Sequence, residues 1–343
     1  MKRTDELVRK NVKSLVPYSC ARDEYEGTEG VFLDANESPF GPLNRYPDPR
    51  HHELRGAIAS LKQIPPDNIF LGNGSDEIID LCFRIFCNPG KDRAMIFTPT
   101  YGMYQFSAAV NDIEVIKVSL DERFDIDLSV VSSLLNDPEL KLVFICSPNN
   151  PTGNSMDHEK IEFIIRNFAG IVVLDEAYSD FSSLPSFSGM TLKYENLIVM
   201  QTFSKAMGLA AARIGMAFAG NHILKYFFMM KPPYNISTIN QEAALIRLRD
   251  VSAVNIQKDT IIAERKRLEK KLEALPVVEK IFPSDSNFLL VKFRDADMIY
   301  NSLLERNIIV RNKSREIEGC LRITAGTRTE NERLLNELEQ LAL

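Results

Sequence analysis

Ile171-Val-Val-Leu-Asp175-Glu-Ala-Tyr178 is the stretch from which the fold can be read. Four aliphatic residues, three of them β-branched, favour a strand shielded from water on both faces. A carboxylate at the end of such a strand stands where α/β sheets place their ligands. Similar apolar runs recur on either side, at 94–99, 114–120, 141–148 and 196–203. Between several of them lie helical patterns, such as 157–168 with Ile161, Ile164, Ile165 and Phe168 on one face. Buried strands alternating with helices predict an α/β fold whose largely parallel sheet is covered on both sides. Ser75, followed by Asp76 and Glu77, reads as the N-cap of a helix running through the apolar stretch 78–86.

After Pro232-Pro233 the pattern changes. Helices are expected at 237–250 and 253–275, then a strand at 287–293 and a helix at 295–306. Strands at 308–311 and 320–324 and a helix at 329–341 complete a smaller α/β unit of ordinary domain size. The expected division is an N-terminal arm at 1–40, marked by Pro17, Gly27, Gly30 and Pro39, a large domain at 41–250 and a small one at 251–343. No internal repeat or low-complexity tract interrupts it.

The 343 residues include 41 basic and 47 acidic side chains, a net charge of -6. That balance lacks the basic excess of a nucleic-acid binder. The cysteines, Cys20, Cys82, Cys87, Cys146 and Cys320, are odd in number and irregularly spaced. They suggest neither a disulfide framework nor a structural zinc site, and fit reduced thiols in a cytoplasm. Lys2, Arg3, Asp5, Glu6, Arg9, Lys10 and Lys13 interrupt segment 1–16, leaving no signal-peptide core. No run of about 18 apolar residues suggests a membrane span, and no metal is expected.

Five short segments carry candidate chemistry. In Thr202-Phe-Ser-Lys205-Ala-Met-Gly-Leu-Ala-Ala-Ala-Arg213, a lysine follows a strand and is flanked by small residues. Alone it would be a surface-turn lysine. With the Thr202 and Ser204 hydroxyls and the Arg213 guanidinium, it becomes an amine beside a phosphate site. A lysine with a depressed pKa can condense with an aldehyde. Asp175 has two readings, a helix N-cap or an acid paired with a protonated pyridine nitrogen. Tyr178, three residues on, could bond a ring oxygen.

Ser147-Pro-Asn-Asn150-Pro-Thr-Gly153 reads as a turn, or as the place where Asn150 donates to a phenolate oxygen. Gly72-Asn-Gly-Ser75-Asp76-Glu77 combines glycines with a helix start, and the Ser75 and Asp76 amides suit a phosphate. In Pro99-Thr-Tyr101-Gly-Met-Tyr104, the Tyr101 ring could stack on a flat cofactor or pack in the core.

This order of segments, closed by Cys320-Leu-Arg322-Ile-Thr324, resembles the fold-type I aminotransferases, which use pyridoxal 5'-phosphate. Pro17-Tyr18-Ser-Cys-Ala-Arg22, Leu33-Asp-Ala-Asn36-Glu37 and Arg45-Tyr46-Pro-Asp48 narrow the resemblance to the histidinol-phosphate aminotransferase branch. The resemblance implies that Lys205 forms the imine with the cofactor and shuttles the proton at the substrate α-carbon. It assigns Asp175 to the ring nitrogen, Asn150 and Tyr178 to the ring oxygen, and Tyr101 to stacking. Ser75, Asp76, Thr202, Ser204, Arg213 and a partner subunit's copy of Tyr46 would hold the phosphate, implying a homodimer with shared active sites. Tyr18, Asn36, Arg322 and Arg333 would meet the substrate, although Arg333 also reads as part of a solvated helix face. The implied reaction converts L-histidinol phosphate and 2-oxoglutarate to imidazole-acetol phosphate and L-glutamate. A threonine-phosphate decarboxylase, an aromatic amino-acid aminotransferase and a cofactor-sensing regulator domain are the alternatives.

Overall fold

In the computed structural model, which describes residues 4–18, 20–25 and 30–341, the aliphatic run at 171–174 lies inside a seven-stranded sheet. Its strands are β1 (Ile69–Asn73), β2 (Arg93–Thr98), β3 (Glu114–Ser119), β4 (Leu140–Cys146), β5 (Ile171–Asp175), β6 (Leu197–Thr202) and β7 (Ile214–Phe218). The spatial order is β1-β7-β6-β5-β4-β2-β3, and β7 alone runs against its neighbours. Lys2, Arg3, Ser19 and Gly27, used above, lie outside the described residues.

Alternation along the central strands explains why both faces are apolar. Val172 and Leu174 of β5 enter one core together with Val143 and Ile145 of β4. Ile171 and Val173 enter the opposite core with Leu142, Phe144 and Cys146. Burying an aliphatic side chain contributes about 1.5–3 kcal/mol, so neither face tolerates a polar residue until the strand ends. Asp175 is that end, and the two-residue period turns its side chain to the face of Ile171 and Val173. The parallel strands bring the carboxyl ends of β1, β2, β4, β5 and β6 to one edge. Because β7 is antiparallel, its amino end, with Arg213 just before it, joins them there.

The helix after β1 spans Gly74–Phe86, with Asn73 at its cap position. The expectation of Ser75 as N-cap is corrected: the cap is Asn73, two residues earlier, and the Glu77 carboxylate accepts from the Asn73 amide. Ser75 and Asp76 therefore lie in the first turn, where amides have no acceptor within the helix.

A second, antiparallel sheet has the order β10-β11-β9-β8, from β8 (Val278–Ile281), β9 (Phe288–Phe293), β10 (Arg311–Asn312) and β11 (Cys320–Thr324). The strand expected at 308–311 is reduced to β10. Asn307 takes a left-handed φ of 57°, and the Ile308 amide donates to Leu303 O at 2.8 Å, so those residues terminate the helix Ala296–Glu305. The long helix Val251–Glu273 passes between the sheets, and Leu268 and Leu272 pack into the small sheet's core. Phe288 of β9 packs against Tyr178, Phe181 and Ala206 and ties the small sheet to the carboxyl edge of the large one. At the other end of the chain, Leu7, Val8 and Val12 are buried in the large core, whereas Val31, Leu33 and Phe40 are exposed.

Candidate active site

Asp175 leaves its strand buried, and two donors meet it. The Tyr104 hydroxyl donates to Oδ2 at 2.6 Å and the Ala177 amide to Oδ1 at 3.0 Å. Burial still dominates and holds the carboxyl above its ordinary pKa. Lys205 lies in the turn after β6, its Nζ 5.4 Å from the centre of the Tyr178 ring. Burial first, and the nearby Arg322 second, keep Lys205 below the ordinary lysine pKa, against the opposing pull of Asp175. Burial likewise pushes the Tyr178 phenol up, so it stays a donor. Its ring meets Phe288 edge-on at 5.2 Å.

One side of this group is built by glycines. Gly74, at φ +74°, and Gly215 let the amino end of β7 close on the helix start. A Cβ on Gly215 would lie 2.5 Å from Gly74 C and from the Ser75 amide nitrogen, and one on Gly74 would lie 2.5 Å from Arg213 Nη2. Arg213 itself has a left-handed φ of 51°, and its carbonyl accepts the Gly74 amide at 2.8 Å. Its guanidinium reaches Asp76 Oδ2 at 3.3 Å, and the Tyr101 hydroxyl donates to Asp76 Oδ1 at 3.1 Å. Thr202 Oγ1 lies 3.0 Å from Ser204 Oγ and accepts the Ser204 amide at 3.1 Å. Three hydroxyl- or guanidinium-bearing residues and a helix start thus form a group of donors suited to an anion.

The opposite wall comes from the loop after β4 and from the small sheet. Asn150 is buried, and Arg322 of β11 donates to its Oδ1. An arginine only donates, so this contact fixes the amide and leaves Nδ2 to donate elsewhere. Burial depresses the Arg322 pKa, and Arg311 adds to the effect. Asp285 N donates to Gly153 O at 2.7 Å and Ser155 N to Asp285 Oδ2 at 3.1 Å, locking the Asn150 loop to the small sheet's side of the molecule.

The structure thus brings together Ser75, Asp76, Tyr101, Asn150, Asp175, Tyr178, Thr202, Ser204, Lys205, Arg213 and Arg322. Four expected residues are placed elsewhere in the chain. Tyr18 is 77% exposed. Asn36 and Tyr46 line a cavity of about 340 Å³ with Glu37, Arg45 and Thr238, and none of the Lys205 group borders it. The Tyr46 ring stacks on Tyr234 at 4.3 Å. Arg333 is exposed and donates to Arg306 O at 2.7 Å, capping the preceding helix.

Two contributors escape the sequence reading. Tyr104 only closes the segment quoted for Tyr101, and the fold is what shows its hydroxyl on Asp175. Arg311 has no assigned role at the end of its expected strand, yet the β10–β11 register sets it opposite Arg322. The sole sequence signal was the strand expected at 308–311, which ends on that arginine.

Residues 25–338 match the family described as aminotransferase class I and II. The histidinol-phosphate aminotransferase of Parabacteroides distasonis is 50% identical over 346 residues, covering 100% of both chains. The crystal structure of the histidinol-phosphate aminotransferase from Clostridium acetobutylicum superposes with a TM-score of 0.80 at 26% identity, over 88% of this chain and 91% of that one. That of the Sinorhizobium meliloti enzyme, in complex with pyridoxal-5'-phosphate, has a TM-score of 0.79 at 24% identity, over 90% and 89%.

Proposed function

This chain belongs to the aminotransferase class I and II family, and from that premise we propose that it transfers an amino group between L-histidinol phosphate and 2-oxoglutarate. The products are imidazole-acetol phosphate and L-glutamate, and the step serves histidine biosynthesis. The observation that carries the substrate reading is the pair Arg311 and Arg322, side by side across β10–β11 beside Asn150. Two guanidiniums suit a phosphate, and one of them suits the carboxylate of glutamate when that substrate takes its turn. We assign the second anion contact to Arg311 rather than Arg333, because Arg333 is engaged at Arg306 O.

The residues fit pyridoxal phosphate. The close approach that Gly74 and Gly215 allow sets Arg213 beside the first-turn amides of Ser75 and Asp76, and these with Thr202 and Ser204 would hold its phosphate. Asp175 would hold the ring nitrogen, Asn150 Nδ2 and the Tyr178 hydroxyl the ring oxygen, and Tyr101 would lie on the ring. When bound, the cofactor supplies an aldehyde for the amino group and a ring that absorbs negative charge from the substrate's α-carbon.

Lys205 would hold the cofactor covalently through Nζ. Its depressed pKa leaves more free amine at neutral pH to take the α-proton and return it. Asp175 is pushed up while alone in its buried site, and a cationic ring nitrogen beside it would draw it back towards the ionised form. Tyr178 and Asn150 donate to developing negative charge, and Phe288 shields that side from water.

We extend the proposal to a homodimer in which Tyr46 of one subunit completes the phosphate site of the other, with Tyr18 and Asn36 covering the substrate. Support comes from the apolar side chains left in water: Val16, Tyr18, Leu33, Phe40 and Leu43 on the arm side, and Ile239 and Ile246 on the helix Thr238–Arg249. The division into arm 1–40, large domain 41–250 and small domain 251–343 is part of the same reading, supported by the separate core of the small sheet. Among the described residues no helix is long and apolar enough to cross a membrane, and we assign a cytoplasmic setting because the odd number and irregular spacing of the cysteines suit reduced thiols.

The half-reaction tests the substrate assignment. Histidinol phosphate added to the loaded enzyme should convert the cofactor's absorbance band at least about tenfold faster than phenylalanine does, the span of one good anion contact. Equal rates would replace the reading with an aromatic aminotransferase. Release of CO2 from O-phosphothreonine without a keto acid would replace it with a decarboxylase.

A further inference from the structure

Tyr104 touches both Asp175 and Tyr101. It lies on the helix Met103–Val110, one turn after Tyr101, and its ring meets the Tyr101 ring edge-on at 5.6 Å and 85°. On another side it stacks on Phe144 at 5.0 Å, and Phe144 stacks on Phe83 at 5.2 Å. These three rings are fully buried and form a column under the end of β5. Such a column leaves the phenol little freedom, and it delivers the hydroxyl to Asp175 Oδ2 at 2.6 Å. Cys146 faces Asp175 across the β4–β5 register, and its thiol donates to Pro148 O at 3.4 Å.

We propose that Tyr104 is a positioning residue for the cofactor, its hydroxyl keeping the Asp175 carboxylate ionised and aimed at the ring nitrogen. The inference rests on the cofactor reading above and adds a residue to it. A carboxylate removed from water needs donors to remain charged, and each donor favours the ionised form. Asp175 has two, Tyr104 and the Ala177 amide. The amide belongs to the backbone and comes with the strand end. The Tyr104 hydroxyl is the part that one substitution can remove, and a phenylalanine would retain the ring packing on Phe144. The carboxylate oxygens have acceptor capacity beyond these two bonds, enough for a ring nitrogen as well. Because the same ring abuts Tyr101, the position of the carboxylate and the position of the stacking ring are set by one side chain.

The test is a double-mutant cycle of Tyr104→Phe and Asp175→Asn, read by cofactor affinity of the apoenzyme and by the 15N resonance of ring-labelled pyridoxal phosphate on the enzyme. Tyr104→Phe should lose about ten- to a hundredfold in cofactor affinity, the worth of a hydrogen bond to a charged group. It should shift the ring-nitrogen resonance towards the unprotonated position and lower kcat with little change in KM for histidinol phosphate. In the Asp175→Asn background the second substitution should change neither readout. Additive losses, or an unmoved nitrogen resonance in Tyr104→Phe, would overturn the inference while leaving the cofactor reading intact. A wild-type chain that takes up no pyridoxal phosphate would overturn both. Should Tyr104→Phe not fold, fluorotyrosine placed at 104 keeps the hydroxyl and alters only its acidity. It must still move the nitrogen resonance, and no movement would equally overturn the inference.

Discussion

The surroundings of Lys205 and those of Tyr46 are built differently. Around Lys205, Asp175 is held by Tyr104 and Ala177, Asn150 by Arg322, and Arg213 by Asp76. Around Tyr46, Glu37 is held by Arg22 and Arg45, but the apolar side chains nearby, Leu33, Phe40 and Leu43, face water. The first region satisfies its polar groups and hides its apolar ones within a single chain. The second pairs its charges but leaves apolar surface in water, which needs cover from elsewhere. The comparison separates what one chain can do alone from what we assign to a pair.

The largest effect should come from the self-sufficient region. Lys205→Ala should keep the fold and retain measurable cofactor affinity, because Arg213, Ser204 and the helix start are untouched. Its turnover should fall roughly a hundred- to ten-thousandfold, the usual span of a lost general acid–base group. Borohydride reduction followed by mass spectrometry should find the cofactor on the Lys205 peptide in wild type and on no peptide in the variant. Near-normal turnover would break the assignment of Lys205 and with it the first half of the comparison.

Tyr46 gives the intermediate effect. Tyr46→Phe should weaken cofactor affinity by about threefold to thirtyfold, if its hydroxyl supplies one hydrogen bond to a phosphate. Mixed dimers of Tyr46→Phe and Lys205→Ala chains make the sharper measurement. One site in each mixed dimer would pair an intact Lys205 with the other chain's intact Tyr46. That site should bind and turn over like wild type. Unrestored affinity would mean that Tyr46 serves its own chain, and the shared-site proposal would fall.

The same contrast explains what could be read before the structure. Strands β2, β4, β5 and β6 were legible because continuous apolar runs have few alternatives to a doubly covered sheet. The cluster at their carboxyl ends followed, since Asp175, Asn150 and Thr202 each stand at or just past a strand. β1 and β7 were not legible: Gly72 and Gly215 break their apolar patterns, and the reason for Gly215 is a contact between segments more than 140 residues apart, its closeness to Gly74. Tyr104 and Arg311 escaped for a related reason. Their partners, Asp175 and Arg322, are chosen by sheet register and helix placement, which no local pattern records. Segment 30–46 was legible as motif alone, because little of it is buried and burial is what periodicity reports.

Glu37 offers the smallest and most local test. Although burial alone would raise its pKa, hydrogen bonds from Arg45, the Tyr46 amide and Arg22 lower it to about 2. A depressed carboxylate binds fewer protons folded than unfolded between that value and its ordinary value near 4.3. The stability it lends is therefore fully present above about pH 4.3 and lost as pH falls through about 2. Between pH 5 and 3, wild type should lose more of its melting temperature than Glu37→Gln, which keeps one acceptor oxygen but has no charge to titrate. Above pH 5 the variant should be the less stable of the two, since Arg22 and Arg45 lose their shared counter-charge. The core around Lys205 should be indifferent to the exchange, so the ring-bound absorbance at neutral pH should not change in the variant. A matching pH slope in the two proteins would show that the bonds around Glu37 do not hold segment 30–46 in place, and that its order, like its apolar cover, has to come from a second chain.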